Sequence, residues 1–232
     1  AGRNRFSEVF GEPFDEANVV GAIEYLRVRP DLSPAKLAEE WLASPYEKLA
    51  PGSYCVHLPD ESLYLFNGFY PKLLKHYTRK SARILVLALQ GRLGWSRARR
   101  ELIGATDPEE AVAGSLRRVL YERQESLRLE EVSVNLNGAH LSAGPLEALV
   151  ELRRFIASSE EGASDIDDSD IDDYRRFLFG RLLGRHFDDA TVAEMLRNPE
   201  VEFDEEHISL FDLTEELDSS DAVTRLKTVE EQ

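Results

Sequence analysis

Asn137-Gly138-Ala139-His140-Leu141-Ser142 places an imidazole three residues after an amide and two before a hydroxyl. The stretch falls where a strand pattern, Val132–Leu136, gives way to a helix opening at Gly144-Pro145. His140 therefore belongs at the mouth of a fold rather than on a core face. An imidazole so placed can act as a nucleophile that takes up and passes on a phosphoryl group. It needs little tuning for this, because an unperturbed histidine is already neutral above about pH 6.5. Alone, Asn-x-x-His-x-Ser is a weak pattern that also fits a plain surface histidine; its weight comes from residues upstream.

Those residues are Arg100, Thr106 and Arg117, which with Asn137 and Ser142 put hydrogen-bonding groups near predicted element ends. A polyphosphate needs several cationic forks, hydroxyl donors beside them and a magnesium ion to offset its charge. Arg100 ends one predicted helix and Arg117 starts the next, so both could converge on one anion, with Thr106 donating between them. Any one of these arginines taken singly also fits a solvated helix face.

The elements that must position these groups can be read along the chain. Val19, Val20, Ile23 and Leu26 form an apolar helical stripe over Asn18–Arg27. Ser33 as N-cap and Pro34 in the first turn open a second helix to about Ala43, with Leu37, Trp41 and Leu42 as its apolar side. Ser53–Leu58 and Ser62–Phe66 read as a strand hairpin around Pro59-Asp60-Glu61, and Asn67-Gly68 turns the chain into a helix over Tyr70–Tyr77. Arg83–Leu89, almost entirely apolar, reads as a buried strand. Gly94–Leu102 is helical and arginine-rich, with Gly104 ending it, and Ser115 caps a helix to about Gln124. Val132–Leu136 reads as a strand and Pro145–Ile156 as a long amphipathic helix. Ser158–Asp170 is a polar, acidic linker. Helices follow near Tyr174–Leu183 and Thr191–Arg197, then a short apolar piece, Ile208–Leu213, and a last helix after Ser219-Ser220. Alternating elements with irregular connections and hairpins predict an α+β sandwich, helices covering a small, mainly antiparallel sheet.

Four segments resemble the nucleoside diphosphate kinase family: Asn67-Gly68-Phe69-Tyr70-Pro71, Arg100–Pro108, Gly114-Ser115-Leu116-Arg117 and Asn137–Ser142. The resemblance implies a ferredoxin-like sandwich with extra N-terminal helices and an acidic C-terminal helical extension. It divides the chain into an N-terminal helical region (1–52), a kinase-like core (53–157) and an acidic linker with a helical extension (158–232). It further implies ping-pong transfer through phospho-His140, between nucleoside tri- and diphosphates. Ser142 and Glu151 would support the histidine, Arg100, Thr106 and Arg117 would hold the phosphates, and Asn137 the ribose end. Phe69, with Leu73 beside it, would stack on the base, which suits indifference to base identity. Magnesium would accompany the nucleotide, and the chain would form a homo-oligomer.

This sequence departs from the family in several places. No strand ending in Lys-Pro-Asp-Gly supplies a phosphate-binding lysine; Leu58-Pro59-Asp60 is the nearest echo. Leu141 and Ala143 stand where the family has glycine and aspartate. The slot of the missing strand is expected to belong to sequence upstream of Ala1, or to Ser53–Leu58 or Ile208–Leu213. These departures motivate a second reading: a catalytically weak or inactive nucleotide-binding or structural subunit of a larger complex.

Charge and composition bound the remainder. Residues 1–157 hold 21 Asp/Glu against 21 Lys/Arg, so the 23 acids and 7 bases of residues 158–232 carry the whole net charge of −16. An acidic tail repels nucleic acid and suits a basic protein partner. Cys55 is the single cysteine, which fits a reducing, cytoplasmic or organellar compartment. No apolar run approaches the roughly 18 residues of a membrane span. His57, His76, His186 and His207 lack zinc-ligand spacing, so no protein-held metal is expected. Asp165–Asp170 resembles a calcium loop but has no turn glycine, and Arg176 stands where a bidentate glutamate would be needed. Trp41 and Trp95 read as packing anchors.

Overall fold

The computed structural model describes residues 2–50, 52–157, 171–204 and 206–230. The acidic linker Ser158–Asp170, with its calcium-loop-like stretch, lies outside them. The chain forms two compact units, Ala1–Ile84 and Leu85–Gln232, whose boundary falls inside the 53–157 segment read as a kinase-like core.

The first unit holds a small, mostly antiparallel four-stranded sheet with helices around it, consistent with a ferredoxin-like α+β fold. Its elements are α1 (Gly2–Phe10), β1 (Val19–Gly21), α2 (Ala22–Val28), α3 (Pro34–Leu42), β2 (Glu47–Ala50), β3 (Ser53–Leu58), β4 (Leu63–Phe66) and α4 (Tyr70–Thr78). The sheet order is β1-β4-β3-β2. β3 pairs antiparallel with both β2 and β4, while β1 joins β4 in parallel. β3 is therefore an inner strand, and of the two segments weighed for an interior slot it is the one in this sheet. Phe6, Cys55 and Tyr64 pack on one side of the sheet, and Tyr25, Leu37, Trp41, Val56 and Leu65 on the other. This follows from period-two alternation along β3 and β4.

The local signals explain most of these elements. Ser33 Oγ accepts a hydrogen bond from Lys36 N (3.2 Å), with Pro34 in the first turn of α3. Pro59–Glu61 closes the β3–β4 hairpin as a 3-10 turn. The helix expected over Asn18–Arg27 begins only at Ala22, because Val19–Gly21 is taken up by the sheet. Asn67 ends β4 with φ of 48°, and its amide accepts from Tyr54 N and donates to Gly52 O, both at 3.0 Å.

Neither Arg83–Leu89 nor Val132–Leu136 forms the strand expected of it. Arg83–Leu89, at the boundary between the units, forms no regular element, with Ile84 75% and Leu85 82% exposed. Its β-branched, apolar composition favours a strand, but a strand also needs a neighbour from elsewhere in the chain. Val132–Leu136 is a turn instead: Leu136 N donates to Ser133 O (3.0 Å), and Val132 N to the Gln124 side chain (3.2 Å). Local bonds here consume the groups that a ladder would have used. Glu206–Ser209 forms an antiparallel hairpin with Glu200–Phe203, and Leu210–Leu213 is a short helix, so Ile208–Leu213 does not enter the four-stranded sheet.

The core of the second unit forms around α7, Pro145–Leu152, which runs on as a π-helical turn over Arg153–Ala157. Leu146 and Leu149 are buried against Tyr174, Leu183, Val192, Leu213 and Leu226. These come from the 3-10 turn Ile171–Arg176 and the helices Leu178–Leu183, Asp189–Leu196, Leu210–Leu213 and Ser219–Glu230. The arginine-rich segment is a short α5, Trp95–Arg97, continuing as a π-helix over Ala98–Ile103. Gly104 closes it at φ of 94°, a left-handed position that suits glycine. Ser115 precedes α6, Leu116–Glu122, but donates to Val112 O (2.7 Å) instead of capping the helix as expected.

Asn67 gives a test of the first unit. Asn67→Ala forfeits two hydrogen bonds of about 1 kcal/mol each and adds left-handed strain of about 1 kcal/mol. The expected cost is about 2–3 kcal/mol in denaturant unfolding, and Asn67→Gly should be milder by about 1 kcal/mol because glycine accepts the backbone angle.

Candidate active site

α7 places two glutamates one turn apart, Glu147 and Glu151, on the side that faces the histidine loop. Glu147 reaches back to accept a hydrogen bond from Ala143 N, the amide just before the helix. This satisfies a donor much as a capping box does. Glu151 spans the loop itself: Oε1 lies 2.8 Å from His140 Nε2 and Oε2 accepts from Ser142 Oγ at 2.5 Å. Three residues read from the sequence as one functional group are thus in direct contact.

Arg117 and Asn137 sit around the same loop, in roles the sequence did not suggest. Arg117 Nη1 donates to Gly104 O (2.9 Å) and Nη2 to Ala139 O (3.0 Å), which ties the end of the arginine-rich helix to the residue before His140. Its Nε is buried and without a partner among the described residues. Asn137 Nδ2 donates to Thr106 O (3.2 Å) and Val134 O (3.3 Å), so it touches the Thr106 backbone, while Thr106 itself is exposed. Arg100 is not brought in: its side chain is 64% exposed and pairs with Glu101. The arginine that acts electrostatically on Arg117 is Arg99, which precedes Arg100 in sequence. Arg99 is held by Glu215 (2.6 Å) and Glu216 (3.2 Å). Phe69 and Leu73 belong to the first unit, and the Phe69 ring packs edge-on to Trp41 (5.2 Å) and Tyr54 (6.0 Å) as part of its aromatic core.

The titration shifts follow from these contacts. The hydrogen bond to Glu151 raises the His140 pKa above the ordinary histidine value, against burial and Arg117, which lower it; Glu147 adds to the rise. Burial alone would raise Glu151, but the bonds from His140 and Ser142 outweigh it and hold the carboxyl below its usual range. Burial, then Arg99, lowers the Arg117 pKa. With Nε2–H donated to Glu151, the neutral imidazole keeps its lone pair on Nδ1. The group can therefore act as an oriented nucleophile whose developing positive charge faces a carboxylate.

Sequence reasoning missed Glu147, Arg99, Trp95 and Asp218. Glu147 carried a signal, an acid two residues after the helix-opening proline, and Arg99 lay within an arginine run. Trp95 and Asp218 interact across 123 positions, and no local pattern marks such a pair.

Comparison with known proteins places this geometry in context. The chain is 32% identical over 113 residues to proteins named nucleoside diphosphate kinase from Chlamydia muridarum and Chlamydia trachomatis. The match covers 49% of this chain and 66% of each relative, just under two thirds of their length. No family model matches the chain, and no solved structure matches it. The similarity connects the chain to nucleoside diphosphate kinases at the level of distant relatives.

The His140–Glu151 pair predicts a defined pH response. The raised imidazole pKa gives stability that is present below about pH 6.5 and is lost as pH rises through the folded value. The lowered carboxyl pKa gives stability that is lost as pH falls through the folded Glu151 value. Both operate together only in the mildly acidic window between those limits. Because the His140 side chain is 64% exposed, the pair should contribute no more than about 1 kcal/mol. Glu151→Gln should lower the His140 pKa, read by NMR titration of the imidazole, and its stability deficit should be largest in that window.

Proposed function

We propose that the chain is a nucleoside diphosphate kinase-like phosphotransferase that moves the terminal phosphoryl group of a nucleoside triphosphate to a nucleoside diphosphate through phospho-His140. The observation that carries the reading is the Glu151 carboxylate holding His140 Nε2 on one oxygen and Ser142 Oγ on the other. The similarity to named kinases supports the same chemistry.

In the first half-reaction the Nδ1 lone pair forms a bond to the terminal phosphorus. The phosphorus–oxygen bond to the β-phosphate breaks, and its electron pair leaves with the diphosphate. In the second half-reaction a terminal oxygen of the acceptor diphosphate attacks the phosphorus, and the electron pair of the nitrogen–phosphorus bond returns to Nδ1. The Nε2 proton stays between the ring and Glu151 throughout, so the carboxylate opposes the positive charge of the phosphorylated ring. Arg117 braces the loop at Ala139 and holds its positive charge beside His140. Thr106, Asn137 and Arg100 are assigned to phosphate and ribose contacts by the resemblance. Magnesium would arrive on the nucleotide, and no step runs through the ion.

The kinase-like core is assigned to residues 53–157, between the 1–52 helical region and the 158–232 extension. Homo-oligomer formation and a basic protein partner for the acidic tail belong to the same proposal, as does a cytoplasmic or organellar site. Among the described residues no helix is long and apolar enough to cross a membrane.

One observation favours the second reading, a weak or inactive nucleotide-binding subunit. Arg117 is engaged by backbone carbonyls, Arg99 by Glu215 and Glu216, and Arg100 by Glu101. A polyphosphate would have to draw arginines away from these partners.

Labelling separates the two readings. Brief incubation with γ-labelled nucleoside triphosphate and magnesium should give an acid-labile label on the native chain and none on His140→Ala. Absence of label on the native chain, where a control kinase is labelled, removes the catalytic reading; nucleotide binding in that same sample establishes the second.

A further inference from the structure

The histidine loop is linked by hydrogen bonds to the C-terminal segment. Asp218 Oδ1 accepts from Trp95 N (2.8 Å) at the first residue of α5. The Trp95 indole Nε1 donates to Ser142 O (3.0 Å). Ser142 Oγ donates to Glu151 Oε2, and Glu151 Oε1 meets His140 Nε2. Four contacts thus run without a gap from Asp218 to the imidazole.

The surroundings hold this path in register. Glu216 N donates to Ala143 O (2.9 Å), next to Ser142, while the Glu216 side chain grips Arg99 on the same helix that Trp95 opens. A Cβ on Gly144 would stand 2.3 Å from Thr214 O, so the segment lies directly against the start of α7. Thr214 is itself fully buried, its hydroxyl bonded to Leu210 O at 2.8 Å. A carbonyl that accepts an indole N–H cannot turn without losing that bond. Ser142 is only 9% exposed, so little water is at hand to replace it.

We propose that Trp95 is a positioning residue for the histidine site, anchored by Asp218 and acting on His140 through Ser142 and Glu151. Trp95 touches neither the imidazole nor a substrate in this scheme. It fixes the Ser142 backbone, which aims the hydroxyl at Glu151, and Glu151 in turn orients the ring. The catalytic consequence rests on the phosphotransferase reading; the structural linkage does not. The charged groups acting on His140 are Glu147 and Glu151 of α7 and Arg117 of α6, and none of them is altered by changing Trp95.

Trp95→Phe in the full chain keeps an aromatic side chain but removes the indole N–H together with the five-membered part of the ring. The expected result is a fall in the His140 pKa, by NMR, in the direction that Glu151→Gln moves it. Single-turnover formation of phosphohistidine should slow about tenfold, with nucleotide affinity unchanged within about twofold. A Trp95→Phe protein that unfolds at the native midpoint and keeps the native His140 pKa overturns the proposal. Should Trp95→Phe fail to fold, Asp218 provides the test: Asp218→Ala removes the acceptor for Trp95 N, whereas Asp218→Asn retains an oxygen there. A lower His140 pKa in the alanine variant alone supports the linkage, and equal values in both overturn it. If the native chain takes up no phosphate, the kinase reading falls, and the pKa comparison still decides the role of Trp95.

Discussion

The site depends on one carboxylate shared between two donors. Glu151 is half-buried, so it has given up part of its hydration, and the imidazole and the Ser142 hydroxyl replace what water supplied. That exchange is favourable only if both donors sit at hydrogen-bonding distance at once. It therefore requires α7 to be held in place, and Leu146 and Leu149 anchor it among the C-terminal helices. The acidic extension, read from sequence as an addition to a kinase-like core, builds the core on which that helix rests.

The same dependence sets up an electrostatic conflict. A phosphotransfer site wants uncompensated positive charge, yet Glu147 and Glu151 face the loop and Glu215 and Glu216 neutralise Arg99. Arg117 remains, but two of its donors are spent on Gly104 O and Ala139 O. These bonds give the loop its shape at the expense of the field that would draw in a polyphosphate. Arg99 lies between the two demands: bound to the extension it organises the fold, and released from it the side chain would add a cation beside Arg117. A net charge of −16 deepens the conflict, since a distant anion meets repulsion before it meets an arginine.

What the sequence made legible, and what it did not, follows the range of the interactions. Ser33-Pro34, Pro59–Glu61, Asn67-Gly68 and Gly144-Pro145 are local signals, and an N-cap, a hairpin turn, a left-handed turn and a helix start stand there. The His140–Ser142–Glu151 group was legible because both partners lie within a loop and the first turns of the helix it opens. Arg83–Leu89 and Val132–Leu136 misled because strand-like composition says nothing about a neighbouring strand, and because Ser133 and Asn135 favour a turn. Arg117 was singled out by its place at a helix start, but its bonds to two carbonyls depend on where residues 104 and 139 meet. Trp95 and Asp218 are brought together by the fold of the whole second unit, and neither is marked by any short pattern.

The histidine loop shows how an irregular segment is held without a sheet ladder. Its backbone carbonyls and amides are taken one by one: Ala139 O by Arg117, Ser142 O by Trp95, Ala143 N by Glu147 and Ala143 O by Glu216 N. Asn137 adds a bond to Thr106 O. A strand would satisfy such groups cooperatively from one neighbour, whereas here α5, α6, α7 and the segment after Leu213 each supply one. Each contact can be altered singly, so the orientation of His140 is open to adjustment from four directions. The loop that carries the imidazole is thus held jointly by the arginine-rich helix, α6, α7 and the C-terminal segment.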